Sequence, residues 1–421
     1  MKSRLTDFAI CGGPPVFASP LAVGRPALPD RIRLLRRIES VLDSGQLTNG
    51  GPLVQEFEHR LQDVLRVRNV VVVCNGTTAL QIMIAACGLT GEVIVPSFTF
   101  IATAHAVRWL GLTPVFADVD PSTHTLDVAS VEQCISDQTS GVLGVHLWGN
   151  ICDLAGLERL TNALGLHLLF DASHAFGCRA EGQFVGSFGR AEAFSFHATK
   201  VMHCLEGGAI ATNDDELAER CRRMRAFGFT GINEVDGPGI NGKLNEFSAA
   251  AGLTSLETVG DVIAANHCNA DAYGRMLTMV PGLRMAAPTM LSGRNAHYIV
   301  VTVEPRQYGL TRDQLLTVLR AEGVFVRSYF SPGCHRSLPY RDRQIHTPVP
   351  LPVTSVLTEN LIQFPTGPTV TRRDIHVIGE LLQEIRTQAG DLSRHLSGDR
   401  SVFHHTLDPA VPAPICRPDA A

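Results

Sequence analysis

Val70-Val71-Val72-Val73-Cys74-Asn75-Gly76-Thr77-Thr78-Ala79-Leu80-Gln81-Ile82-Met83-Ile84 changes character in its middle. Residues 70–74 are a continuous apolar run of the kind found in strands covered on both faces. Ala79 to Cys87 then reads as a helix. The joint between them combines a glycine, two threonine hydroxyls and a helix N-terminus, so backbone N–H groups and partial positive charge can meet a phosphate there. A plain N-cap by Asn75 or Thr77 accounts for the same residues.

Outward from this stretch the pattern repeats. Short apolar runs at Glu92 to Val95, Pro114 to Asp118, Gly141 to Leu147, Leu166 to Asp171, Ala193 to Ser195 and Gly208 to Thr212 alternate with longer helical patterns. Such alternation predicts βαβ units around a largely parallel sheet flanked by helices. A long helix is expected from about Lys243. Beyond about residue 265 strands at His297 to Glu304 and Val324 to Tyr329, with helices opened by Thr311/Gln314 and Thr371/Asp374, predict a smaller α+β domain. The expected division is an N-terminal segment 1–45, a large α/β domain 46–264, a small C-terminal domain 265–390 and a mobile tail 391–421.

Composition narrows the function classes. Apolar residues at 45% against 18% charged are the balance of a folded globular chain, not of a disordered or fibrous one. A net charge of -5 without a basic run argues against nucleic acid. No apolar stretch approaches the roughly 20 residues of a membrane span or opens the chain as a signal peptide. Eleven cysteines, an odd number without a C-x-x-C pair, suggest neither a disulfide framework nor a thiolate zinc site, so a reducing cytoplasm is expected. No compact spacing of His, Asp or Glu predicts a metal.

Two further segments carry chemistry. Asp171 ends an apolar run, and parallel sheets bind their ligands at the carboxyl ends of the strands. A carboxylate there can keep a heterocyclic nitrogen protonated, although capping of a following helix would use the same residue. Lys200 follows a short strand among Ser and Thr hydroxyls with little other charge, a setting in which an amine can act as a nucleophile and form a Schiff base. A phosphate turn, an acid at a strand end and a lysine about 30 residues later together meet the needs of pyridoxal 5'-phosphate.

With these in place the chain resembles a known family. Asn-Gly-Thr-Thr-Ala-Leu at 75–80, Pro-Ser-Phe-Thr-Phe-Ile-Ala-Thr-Ala at 96–104, Pro-Val-Phe-Ala-Asp-Val-Asp at 114–120, Val-His-Leu-Trp-Gly at 145–149, Asp-Ala-Ser-His-Ala-Phe-Gly at 171–177, Ser-Phe-His-Ala-Thr-Lys at 195–200 and Glu-Gly-Gly-Ala at 206–209 occur in the order found in the DegT/DnrJ/EryC1/StrS sugar aminotransferases. The resemblance extends from about residue 45 to 390 and implies the aspartate-aminotransferase-like α/β fold, fold type I of the pyridoxal-phosphate enzymes. It implies that Lys200 carries the cofactor and moves the proton, that Asp171 pairs with the pyridine nitrogen, and that Gly76, Thr77 and Ser195 hold the phosphate. Phe100 matches the aromatic that stacks on the cofactor ring, and His174 stands where the family often has Gln, facing the ring hydroxyl. Ser173 replaces the commoner Ala behind the ring. Asn241 and Lys243 match a loop that crosses into the neighbouring subunit's site, with Asn241 at the phosphate, which implies a homodimer. In that loop Gly242-Lys243 stands where Tyr-Arg is usual. Lys243 and His335 are the implied substrate contacts. The implied activity moves an amino group from an amino acid, with L-glutamate expected, to a nucleotide-linked keto sugar of the dTDP-6-deoxy type.

Other readings remain at this point. Dehydration or deoxygenation of a sugar uses the same scaffold, but dehydrating relatives replace the lysine by histidine. Gly237-Pro238-Gly239-Ile240-Asn241-Gly242 satisfies G-x-G-x-x-G and would suit an NAD-dependent oxidoreductase, but no convincing strand precedes it. A silent binding protein would have no need of the complete Lys, Asp, Ser and Thr set.

Overall fold

The computed structural model describes residues 2–286, 293–341 and 347–398. Its main sheet has seven strands: β1 (Asn69–Val73), β2 (Glu92–Pro96), β3 (Thr113–Ala117), β4 (Thr139–Val145), β5 (His167–Asp171), β6 (Ala191–Ser195) and β7 (Gly208–Thr212). They lie in the order β1-β7-β6-β5-β4-β2-β3. β2 to β6 pair in parallel, and β7 alone runs antiparallel, inserted between β1 and β6. Every apolar run named from the sequence is a strand. Val70 to Val73 have no solvent exposure, which explains why the runs are continuous: both faces are covered.

Four helices pack around the sheet and lead to the second core. Helix α1 (Arg31–Ser44) is capped by Asp30, and α2 (Pro52–Leu65) opens on a proline that needs no amide partner. Helix α3 (Gly76–Ala86) buries eight of its eleven residues, so it is apolar nearly all round. Helix α4 (Glu246–Leu277) is capped by Asn245 and joins two cores. Its first half gives Ala249, Leu253 and Leu256 to the core of the large sheet, and its second half gives Ala270, Tyr273, Met276 and Leu277 to the core of the small lobe.

The small lobe has a three-stranded antiparallel sheet of β8 (Leu283–Met285), β9 (Ile299–Val303) and β10 (Leu361–Phe364), with β9 central. Helices α5 (Arg312–Ala321) and α6 (Arg372–Thr387) pack on it. Both start with the capping boxes expected, Thr311 with Gln314 and Thr371 with Asp374.

Three expectations change. The strand foreseen at 324–329 is only Val324–Phe325, because beyond it the chain turns toward the ends of the main sheet, where Tyr329 and Phe330 pack. Its parallel partner is Leu21–Ala22 in a separate two-stranded sheet, so the N-terminal segment packs with the small lobe. The tail expected from 391 begins as structure: α7 (Ala389–Gly398) is a helix whose Leu392 and Leu396, one turn apart, are buried in the small core. Residues 399–421 lie outside the described residues.

The first thirty residues bind both parts of the molecule. Glu322 is fully buried, pairs with Lys2 at 2.9 Å and accepts the Ala9 and Val16 amides. Farther on, Gly24 lies against Thr199, and the Ala27 carbonyl is 2.8 Å from His203 Nε2. Among the described residues no helix is long and apolar enough to cross a membrane.

Candidate active site

The carboxyl ends of β1, β5 and β6 bring the expected residues together. Asn75 caps α3 by accepting the Thr78 amide at 2.8 Å. The cap is real, and it also fixes the turn so that Gly76 and Thr77 stand at the helix N-terminus with no intrahelical acceptor for their amides. Gly76 faces Ser195 at the end of β6, and a Cβ there would fall 2.7 Å from the Ser195 Cβ. These two elements form a cradle that only glycine permits. Its residues, with the N-terminal charge of α3, suit the phosphate of pyridoxal phosphate.

Asp171 ends β5 and is buried, with 5% exposure. One carboxylate oxygen accepts the Thr103 hydroxyl at 2.9 Å and the other accepts the Ser173 amide at 3.0 Å. No helix follows it, so it caps none. A carboxylate fixed from two sides at a strand end suits a cationic pyridine nitrogen.

Lys200 follows β6. Its side chain keeps some solvent contact, but its amine is enclosed, and burial pushes the amine down to about 8 against the opposing pull of Asp171. The amine lies 3.4 Å from the Tyr298 hydroxyl. Burial, with Lys200 and His297 nearby, holds His174 well below the ordinary imidazole value. His174 is therefore neutral, and its Nδ1 accepts the Trp148 amide at 3.4 Å, which leaves the ring proton on Nε2. His297 is likewise kept neutral, at about 4, chiefly by burial. It donates from Nε2 to the Thr199 carbonyl at 2.8 Å.

Aromatic rings wall the site. Tyr329, Phe330, Trp148 and His174 lie near-parallel in succession, with centroids 4.9, 5.0 and 5.5 Å apart. Phe100 stands 6.3 Å from Phe330 and keeps 53% exposure, free to cover a planar ligand.

The remaining expected residues lie farther out. Asn241 is exposed and pairs with Ala226 in an isolated bridge, while the Gly242 carbonyl accepts the Cys74 amide at 2.8 Å beside the phosphate turn. Lys243 is placed over the Phe227 ring at 4.4 Å. His335 is tied through Nδ1 to Ser97 at 2.6 Å. Residues 237–242 follow a short hairpin and not a buried strand, so they do not form a dinucleotide-binding turn. Among the described residues no cluster could hold a metal ion.

Thr103, Trp148, His297 and Tyr298 join the site without a role expected from the sequence, whereas Phe330 belongs to the stretch 329–335 that resembles the family's sugar-nucleotide pocket. Thr103 and Trp148 lie inside the quoted motifs, which was the available signal. His297 and Tyr298 are brought to the lysine only by tertiary structure.

A lysine and an aspartate beside a cradle that suits a phosphate, at the strand ends of this fold, agree with the class that the comparisons show, a pyridoxal-phosphate-dependent aminotransferase. The chain belongs to the DegT/DnrJ/EryC1/StrS aminotransferase family, whose model it matches over residues 30–383. It is 35% identical to the dTDP-4-amino-4,6-dideoxy-D-glucose transaminase of Shigella dysenteriae, over 74% of this chain and 85% of that one. It is 32% identical to the GDP-perosamine synthase of Caulobacter vibrioides, over 82% of this chain and 93% of the other. Among solved structures it is similar to DesI in the presence of its TDP-sugar product, with 45% identity, a TM-score of 0.90, and coverage of 94% of this chain and 100% of that chain.

Proposed function

We propose that this aminotransferase takes an amino group from an amino acid, with L-glutamate the expected donor, and places it on the keto carbon of a nucleotide-linked sugar. A dTDP-linked keto-6-deoxysugar is the expected class, supported by the relatives that act on dTDP- and GDP-sugars and by the similarity to DesI along its whole length. The observation that carries the reading is the enclosed Lys200 amine, near 8, close enough to the buried Asp171 to be pulled upward by it.

Bound pyridoxal phosphate supplies an electron sink joined to the amino nitrogen. The Gly76 and Thr77 amides and the Ser195 hydroxyl hold its phosphate, with the helix N-terminus favouring the negative charge. Asp171, steadied by Thr103, keeps the pyridine nitrogen protonated. His174 donates from Nε2 toward the ring oxygen, and Phe100 covers a ring face. Lys200 Nζ takes the proton from the donor's α-carbon, and in the return direction delivers one to the sugar carbon. Lys243 and His335, the latter through its free Nε2, are the expected substrate contacts. Retention of Lys200 beside Asp171 favours amino transfer over sugar dehydration or deoxygenation.

The active unit in this reading is a homodimer with Asn241 at the partner's phosphate. Support comes from apolar side chains left uncovered: Leu28 is 87% exposed, Trp109 78% and Ile232 94%, and the last lies in the hairpin turn that precedes Asn241 in the chain. We place the enzyme in the cytoplasm, which accords with the free thiols of all the described cysteines.

The test is incubation with glutamate and a panel of nucleotide-linked keto sugars. Formation of a 2-oxo acid and of an amino sugar identified by mass spectrometry and NMR is expected. A sugar product that has lost oxygen without gaining nitrogen would establish the dehydratase reading instead.

A further inference from the structure

Tyr298 lies immediately before β9 in the small lobe, yet its hydroxyl reaches the Lys200 amine of the large domain at 3.4 Å. Its ring is fixed by the His174 ring at 4.3 Å and the Trp148 ring at 5.2 Å. Next to it, His297 donates to the Thr199 carbonyl at 2.8 Å, so two consecutive residues of the small lobe grip the lysine and its neighbour. Among the described residues, Lys200 is the hydrogen-bond partner found for the Tyr298 hydroxyl, and a buried tyrosine O–H ordinarily requires one.

We propose that Tyr298 is the positioning residue for Lys200: its hydroxyl holds the amine whenever that amine is not joined to the cofactor, in the place from which it moves protons. The inference rests on the aminotransferase reading, in which Lys200 must be released and then act as a base. A phenol suits both protonation states. It accepts a hydrogen bond from the ammonium and donates one to the free amine. Burial, with Tyr329, Asp171 and Cys178 nearby, holds the phenol well above its ordinary value, so its proton is present throughout the working range. At 3.4 Å the bond is long, which orients the amine without locking it. The other titratable groups facing Lys200 are Asp171, His174 and His297, and the two histidines are neutral.

Removing the hydroxyl affects the two forms of the amine unequally. The bond from ammonium to phenol oxygen is charge-assisted and the stronger of the two, so its loss disfavours the ammonium more. In cofactor-free protein, competitive acetylation with acetic anhydride against pH reads the Lys200 midpoint directly by peptide mass spectrometry. Wild type should titrate near 8. Tyr298→Phe should titrate lower by about half a unit or more. With cofactor, the same variant should lose about tenfold in kcat with little change in KM for glutamate. If Tyr298→Phe does not fold, 3-fluorotyrosine at 298 serves, because its more acidic phenol is a weaker acceptor of the same shape and should move the midpoint in the same direction. A midpoint unmoved in the variant that folds overturns the proposal, since a merely structural tyrosine would leave it there. Failure of wild type to take up pyridoxal phosphate would refute the aminotransferase reading and this inference with it. Normal uptake with an unmoved midpoint would refute only the role of Tyr298.

Discussion

Gly76 and Ser195 approach so closely that a single added carbon on the glycine would lie 2.7 Å from the serine Cβ. The contact joins the start of α3 to the end of β6 at the point where the cofactor's phosphate is proposed to sit.

Gly76→Ala should therefore weaken cofactor binding about tenfold or more, the effect of the roughly 1–3 kcal/mol that overpacking costs. Gly76 is not among the glycines with positive φ, so the effect comes from the contact and not from backbone strain. Titration of cofactor-free protein by absorbance measures it. Unchanged affinity would show that the cradle lies elsewhere.

Lys200 should be the attachment point of the cofactor. Borohydride reduction followed by peptide mapping should place the pyridoxyl group on Lys200, and Lys200→Ala should lose both adduct and turnover while folding normally. An adduct on another lysine would reassign the site.

The same residue should leave a mark on stability against pH. Burial pushes its amine down to about 8 in the folded protein, from 10.5 for a free lysine. Between those values the unfolded chain binds more protons, so stability rises with pH there, and below the window the burial cost is carried in full. Cofactor-free Lys200→Met should thus melt above wild type at neutral pH, with the gap closing as pH approaches 10.5. A constant gap would mean that the amine is not enclosed.

Asp171→Asn should keep the cofactor but slow the glutamate half-reaction by several kcal/mol in barrier, because an unprotonated pyridine is a poor electron sink. Thr103→Val, which removes one hydrogen bond to that carboxylate, should cost about 1 kcal/mol. Single-turnover rates separate the two. Near-normal rates in Asp171→Asn would contradict its role.

Mixing Lys200→Ala with Asn241→Asp after subunit exchange tests the shared site. If Asn241 serves the partner, each hybrid dimer has one site with both defects and one with neither, and activity should recover to roughly a quarter of wild type. With Asn241 serving its own chain, every site keeps a defect and nothing recovers.

What could be read from sequence follows the range of the forces involved. The continuous valine run of β1, the Asn75 cap and the boxes at Thr311 and Thr371 are local, and the structure has each of them. Leu392 and Leu396 gave a helical signal of a single turn, too short to stand out before a proline-bearing end, although burial in the small core makes α7 a helix. Tyr298 is separated from Lys200 by 98 residues, and no spacing rule connects a strand of one lobe to a lysine of the other. Lys200 and Asp171 stand out in the sequence because few residue types suit the roles proposed for them, and the structure brings the two together. The supporting shell does not stand out, because many residue types can supply a hydroxyl or a ring.

The grip of Glu322 on Lys2, Ala9 and Val16 bears on the order in which the protein can assemble as it is made. Lys2, Ala9 and Val16 leave the ribosome well before the carboxylate that fastens them, which is synthesised some three hundred residues later. Until then the nascent chain must carry Phe8 unburied, while the main sheet already has its strands available to pair.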